Sequence, residues 1–125
     1  MTRVPTIVIV DDDDGVRVSL SSLARSLGYQ VRAYPSAQAF LRDTEAGDPD
    51  CLVTDIQMPG MTGEQLRDAL LAAGRRFPVI FMTAFPNESS RERAMASGAC
   101  AYLVKPVDGA MIARCLARAL AAPRV

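Results

Sequence analysis

The chain contains no histidine. That absence removes Ser-His-Asp and Cys-His catalysis and histidine-based zinc sites. It also means the chain cannot carry a phosphoryl group on imidazole. Cysteine is sparse: Cys51, Cys100 and Cys115 form no CxxC pair and match no metal-ligand spacing, so they read as buried, reduced thiols. Neither sign of charge is in excess, with Lys+Arg and Asp+Glu both at 14. Such a balance argues against broad electrostatic binding to nucleic acid or to an anionic membrane. No apolar run approaches the length of a membrane span, and no basic region followed by an apolar stretch opens the chain. The expectation is a cytoplasmic protein with no membrane partner and no direct nucleic-acid partner. With 125 residues, half of them hydrophobic, a single domain over 1–125 is expected, its core running from about residue 6 to residue 121.

What is present is apolar sequence ending in acid. Ile7-Val8-Ile9-Val10 runs into Asp11-Asp12-Asp13-Asp14, and Cys51-Leu52-Val53-Thr54 runs into Asp55. Short apolar runs bounded by turn signals read as buried strands. Neighbouring strands of an open parallel sheet end on the same edge, where ligands bind. Two central strands would therefore bring Asp11, Asp12 and Asp55 into one pocket. Two carboxylates ~4 Å apart repel by about 4 kcal/mol at an effective dielectric near 20. Gathering three of them calls for a cation or a shared proton, and all-oxygen ligands on rigid strand ends suit Mg²⁺. Asp13 and Asp14 read instead as capping residues at a helix N-terminus. An EF-hand reading fails, because Gly15 as sixth residue puts Val10 first and Ser21 twelfth.

Strand and helix alternate five times. Strands are expected at Thr6–Val10, Gln30–Tyr34, Cys51–Asp55, Pro78–Thr83 and Ala101–Val104. The first helix carries Val16, Leu20, Leu23 and Leu27 at helical spacing and closes at Gly28. Ser36 caps a short helix with Ala37, Phe40 and Leu41 inward. The third helix sets Leu66, Ala69, Leu70 and Ala73 on one stripe and stops at Gly74, after the turn-rich loop Met58-Pro59-Gly60-Met61-Thr62-Gly63. The fourth, Glu88–Ser97, is mostly polar, with Ala94 and Met95 as its main anchors, and so reads as weakly tethered and able to move. Asp108 caps the last helix, whose stripe is Ile112, Leu116, Ala119 and Leu120. Strict alternation with short loops implies an α/β fold, a parallel sheet covered on both faces by right-handed crossovers.

Thr83 ends the fourth strand and Lys105 the fifth, which completes a set: Asp11, Asp12, Asp55, Thr83, Lys105. A carboxylate can attack phosphorus and form an aspartyl phosphate. Phosphoryl transfer needs alignment and charge neutralisation more than covalent help. A Mg²⁺ held by Asp12 and Asp55, the Lys105 ammonium and the Thr83 hydroxyl would supply both.

These residues carry a resemblance. Asp11-Asp12, Asp55 followed by Met58-Pro59-Gly60-Met61-Thr62-Gly63, Thr83-Ala84 and Lys105-Pro106 resemble the receiver domain of two-component response regulators, in order and over roughly Ile7 to Leu120. Gly28-Tyr29-Gln30-Val31 and Ser36-Ala37-Gln38-Ala39-Phe40-Leu41 are similar to receivers of the FixJ type, which often precede a DNA-binding domain. The resemblance implies a doubly wound five-stranded sheet of order 2-1-3-4-5, the flavodoxin-like receiver fold. It implies that Asp55 accepts phosphate from the phosphohistidine of a sensor histidine kinase or a phosphotransfer protein. Mg²⁺ would be ligated directly by Asp12 and Asp55, by Asp11 through water and by the Gln57 backbone carbonyl. Tyr102 falls at the family's aromatic switch position, where the ring turns inward as Thr83 engages phosphate, and Lys105-Pro106 matches a bond usually cis in the family. Phosphorylation would then change the face formed by the fourth helix, fifth strand and fifth helix. The partner on that face is a second copy of the chain or an effector domain outside this sequence. Such a domain is no conventional enzyme: it promotes its own phosphorylation and slow dephosphorylation. Gln57 and Phe85 stand where they could obstruct a hydrolytic water, which leaves the phosphoryl lifetime open.

Three other functions compete. A Mg²⁺-dependent aspartyl phosphatase of the haloacid-dehalogenase kind needs a general acid two residues after the nucleophile, and Gln57 there cannot transfer a proton. A flavodoxin-like protein would meet the FMN phosphate with backbone N–H groups, whereas Asp11–Asp14 would repel it. A phosphate-independent docking module usually lacks the acceptor or the lysine, and this chain has both.

Overall fold

A computed structural model of the chain describes residues 3–121; the ends of the domain expected over 1–125 lie outside the described residues. Ten elements alternate: β1 (Thr6–Val10), α1 (Asp14–Ser26), β2 (Gln30–Tyr34), α2 (Ala37–Arg42), β3 (Cys51–Asp55), α3 (Gly63–Ala72), β4 (Val79–Thr83), α4 (Glu88–Ala96), β5 (Ala101–Val104) and α5 (Gly109–Ala121). All strand pairs are parallel, in the order β2-β1-β3-β4-β5. The chain therefore winds outward in one direction from β1 and then in the other. The point of reversal lies between β1 and β3, whose ends carry the acidic residues.

The period of two along each strand sorts the core into two layers. Val8, Val10, Leu52, Val79, Phe81 and Tyr102 face Phe40 of α2, Leu66 and Leu70 of α3 and Ala94 of α4. Ile7, Ile9, Cys51, Val53, Ile80 and Met82 face Ile112, Cys115, Leu116 and Ala119 of α5, with Leu20 and Leu23 of α1 packed against them. β1, β3 and β4 are almost wholly buried, as expected for strands covered on both faces, while β2 and β5 are partly exposed edges.

The helix ends follow the capping chemistry read from the sequence. Asp13 Oδ1 accepts from the Val16 N–H at 3.0 Å and Ser36 caps α2; the capping box of Thr62 with Gln65 on α3 is a further cap that the sequence reading left within the loop. Gly28, at φ 95°, takes the left-handed turn that closes α1. Some expected anchors differ. Leu27 is the C-cap of α1 and lies exposed, so the helix buries Ser21 and Ala24 instead. Ala73 is exposed beyond the end of α3. In α4, Met95 points outward at 45 % exposure, and the inward pair is Ser90 and Ala94. Ser90 precedes Ala94 by four residues and so shares its face, whereas Met95 is one residue on and turned about 100° away.

The loop after β3 is drawn tightly under α3. The Gly63 N–H donates to the Ile56 carbonyl at 2.9 Å, and a Cβ at position 63 would lie 2.3 Å from the Asp55 carbonyl oxygen. Only glycine lets α3 begin against the backbone that carries Asp55. Gly63→Ala is therefore expected to lower stability by about 1–3 kcal/mol, the usual range for overpacking, measured by urea unfolding, and to displace Asp55. An unchanged midpoint would show that the contact relaxes freely.

Candidate functional site: an acidic pocket at the strand ends

The strand register puts the polar residues on one edge. Val10 lies opposite Thr54, so Asp11 and Asp55 each follow a paired position on neighbouring strands; Asp55 pairs with Met82, and Thr83 with Val104. Asp11, Asp12 and Asp55 converge so that one carboxylate oxygen from each lies within 4.8 Å of the others. Asp11 and Asp55 are buried and Asp12 is exposed.

Lys105 reaches into this group from the end of β5. Its Nζ lies 2.8 Å from Asp11 Oδ2 and 3.2 Å from Asp55 Oδ2. The Lys105 N–H donates to the Thr83 carbonyl at 2.8 Å, tying together the two strand ends, and the Lys105–Pro106 bond is cis. Asp11 is held from below: its Oδ1 accepts from the Asp13 N–H at 2.9 Å, and Arg17 donates to its carbonyl at 2.8 Å. Asp13 and Asp14 keep to the helix terminus, Asp13 as cap and Asp14 paired with Arg17.

The charges do not balance. Among the described residues three carboxylates face one ammonium, a donor set that fits a divalent cation. All its ligand atoms are oxygens, one side chain is open to solvent, and the spacing fits a small hard ion. Burial, and then the Asp11 charge, raise the Asp55 pKa above its ordinary value; Lys105 offsets only part of this. At Lys105, burial works against the ammonium, but Asp11 and then Asp55 outweigh it and raise its pKa. The pair is thus held in the charged state on the lysine side and under strain on the Asp55 side.

Thr83 is buried on the same edge, and its hydroxyl is engaged in a way the sequence did not disclose. It donates to Gln57 Oε1 at 2.6 Å and accepts from the Phe85 N–H at 2.9 Å. The Phe85 ring is 72 % exposed, and its backbone N–H is what meets Thr83. Tyr102 is away from the carboxylates, opposite Phe81 and in the core layer with Ala94. Its side chain is buried, 8 % exposed, and its hydroxyl finds no partner among the described residues. Among the described residues, no helix is long and apolar enough to cross a membrane.

A doubly wound parallel sheet with an acidic, lysine-flanked pocket where the strand order reverses defines a class of α/β proteins that bind ligands at that edge. Comparison with known proteins narrows it. The family described as response regulator receiver domain matches residues 7–117, and the chain belongs to that family. It is a receiver domain of two-component systems. It is 42 % identical over 104 residues to the transcriptional regulatory protein FixJ of Azorhizobium caulinodans, covering 83 % of this chain and 49 % of that protein. It is 36 % identical over 104 residues to the response regulator protein TodT of Pseudomonas putida, covering 83 % and 46 %. The chain thus spans about half the length of the curated relatives it matches. Among solved structures it is similar to FixJ-N, with 31 % identity, a TM-score of 0.86 and coverage of 100 % and 99 %. It is also similar to the response regulator StyR, with 35 % identity, a TM-score of 0.85 and coverage of 94 % and 60 %.

The raised Asp55 pKa has a stability consequence. A carboxyl whose folded pKa exceeds its unfolded one destabilises the fold above the folded pKa, and the penalty fades as pH falls through that value. Asp55→Asn is therefore expected to raise the melting temperature at pH 7 in EDTA, with a gain that shrinks on acidification. A loss of stability at pH 7 would mean that the Lys105 contact outweighs burial and the Asp11 charge.

Proposed function

We propose that this receiver takes a phosphoryl group onto Asp55 from the phosphohistidine of a sensor histidine kinase or a phosphotransfer protein, with Mg²⁺ as cofactor. The observation that carries this is the Asp55 carboxylate itself: buried at the end of a central strand, 3.2 Å from Lys105 Nζ, inside a pocket with two further aspartates. Asp55 attacks phosphorus; the P–O bond forms as the P–N bond breaks, its electron pair returns to the ring nitrogen, and the donor, protonated on its other nitrogen, leaves as neutral imidazole. Lys105 stays protonated and balances charge on the transferred group, and Thr83 can donate its hydroxyl to a phosphoryl oxygen. Asp12, Asp55, Asp11 and the Gln57 carbonyl would hold the Mg²⁺, which when bound neutralises charge on the carboxylates and the phosphoryl oxygens. A cleft of about 480 Å³ lined by Val16, Leu20, Lys105 and Pro106 opens beside the pocket and suits the approach of a donor. The protein promotes this transfer to itself and turns over no separate substrate. The reading places it in the cytoplasm, where kinase phosphohistidine is available. A full regulator with a transcriptional output is what the names of the relatives suggest.

The proposed output is a change in the face formed by α4, β5 and α5. Helix α4 is seated poorly. Its inward residues are one alanine and Ser90, whose buried hydroxyl has no partner among the described residues, and the same holds for the Tyr102 hydroxyl beneath. A buried unpaired polar group costs about 1–3 kcal/mol, so a modest energy repositions the helix. Tyr102 is the proposed switch aromatic, its buried ring adjusting as Thr83 engages the phosphoryl group and α4 moves. Either a second copy of the chain or an effector domain would read the new face, and by linkage would favour the phosphorylated state.

Asp55→Asn keeps the shape and removes the nucleophile. With acetyl phosphate and Mg²⁺, the parent is expected to gain one alkali-labile phosphate, and both the variant and an EDTA-treated sample to gain none. Equal labelling of the variant would overturn the assignment of the acceptor. Binding of beryllofluoride, a phosphoryl mimic, is expected to shift amide resonances beyond the pocket, at Ala94, Met95, Tyr102 and the start of α5. Shifts confined to the pocket would refute the switch and leave phosphate binding intact.

A further inference from the structure

The Thr83 hydroxyl has a single proton, and here it is already in use. The Phe85 N–H occupies one lone pair of Oγ1 at 2.9 Å, and the proton is directed to Gln57 Oε1 at 2.6 Å. Thr83 is wholly buried, whereas Gln57 reaches it from an exposed position two residues after Asp55. A phosphoryl oxygen on Asp55 and the Gln57 amide oxygen thus compete for one donor. A hydroxyl cannot serve two such acceptors at full strength.

We propose that the Gln57 side chain is a latch: by accepting the Thr83 hydroxyl it holds the receiver in its unphosphorylated arrangement and sets how strongly a phosphoryl group must bind to switch it. The inference rests on the function proposed above and deepens it, assigning Gln57 a positioning role through Thr83 that is separate from its backbone carbonyl. The latch also has a route outward. Phe85 opens the loop leading to Asn87, whose side chain caps α4 by accepting the Ser90 N–H at 2.8 Å. When Thr83 lets go of Gln57 and turns toward Asp55, its bond from Phe85 must shift with it. The loop, and through Asn87 the first turn of α4, then follow. Releasing the latch and repositioning the helix are one event.

The test is the affinity for beryllofluoride in Mg²⁺, measured by calorimetric titration. Gln57→Met keeps length and flexibility and removes the competing acceptor, and an exposed position tolerates the change. Binding is expected to tighten roughly two- to tenfold, the worth of one hydrogen bond released from competition. In a Thr83→Val background the same substitution should change affinity little. In Thr83→Ser, which keeps the hydroxyl, the tightening should return. Unchanged or weaker binding in Gln57→Met overturns the latch, as does equal tightening with Thr83→Val, since Gln57 would then act elsewhere. Should the parent itself bind no beryllofluoride in Mg²⁺, the proposed function falls and takes the latch with it.

Discussion

Three carboxylates set against one ammonium, at the place where the order of strands reverses, govern this structure. Asp11 and Asp55 are buried there, held by Lys105 at 2.8 and 3.2 Å. Opposite charge at close range in a poorly solvated site is strong, yet the desolvation of each partner nearly cancels it. The raised Asp55 pKa shows which side of that balance remains unsatisfied. The pocket is stable enough to exist and incomplete enough to take more positive charge. The sheet makes this bearable: β1 and β3 are locked side by side by parallel pairing, and two apolar layers clamp them, so the carboxylates cannot move apart to relieve their repulsion. Rigidity of the core and reactivity of the edge are the same property seen from two ends of a strand.

Much of this was legible in the sequence because it depends on short-range rules. Alternation along Ile7–Val10 and Cys51–Asp55 assigns each side chain to a layer, and the acids that follow are delivered to the edge by the strand itself. Ser36, Asp13 and Gly28 act on backbone groups within a few residues, and their roles follow from chemistry alone. The readings that changed depend on contacts between distant segments. Met95 reads as an anchor because it is apolar, but helix phase fixes only which residues share a face, and packing against β5 selects the face of Ser90 and Ala94. Tyr102 packs in the layer beside Phe81 and Ala94, a placement that pairing across the sheet decides. The Gln57–Thr83 bond joins residues 26 apart. No local pattern announces it, since either residue alone is an ordinary polar side chain at the end of a strand.

Function in such a domain depends on unequal stability across one fold. The sheet and α5 bury a continuous apolar surface, while α4 rests on a small methyl, an unpaired hydroxyl and two polar ties to α3: Arg67 to the Ser97 hydroxyl at 2.7 Å and Arg93 to Glu64 at 3.3 Å. Burial lowers the Arg67 pKa, and its Nε has no partner, so even the better of these ties is imperfect. Cooperative units of low local stability are where conformational change is cheapest.

The energies then set the size of signal the domain can pass. Allosteric coupling between two sites is worth about 1–3 kcal/mol in most proteins, similar to the cost of one unpaired buried hydroxyl. A strongly seated α4 would need more than one phosphoryl group can supply. A helix with no preferred seat would move without any phosphate. Under the proposed function, the unpaired hydroxyls of Ser90 on α4 and of Tyr102 below it, both without a partner among the described residues, would bring the helix near the balance point, and the Thr83 hydrogen bond would hold it on the inactive side. The proposed competition for that single hydroxyl proton would therefore be of the same magnitude as the equilibrium it biases. Under the proposed function, that match would let chemistry at Asp55 be read on a surface the phosphoryl group does not touch.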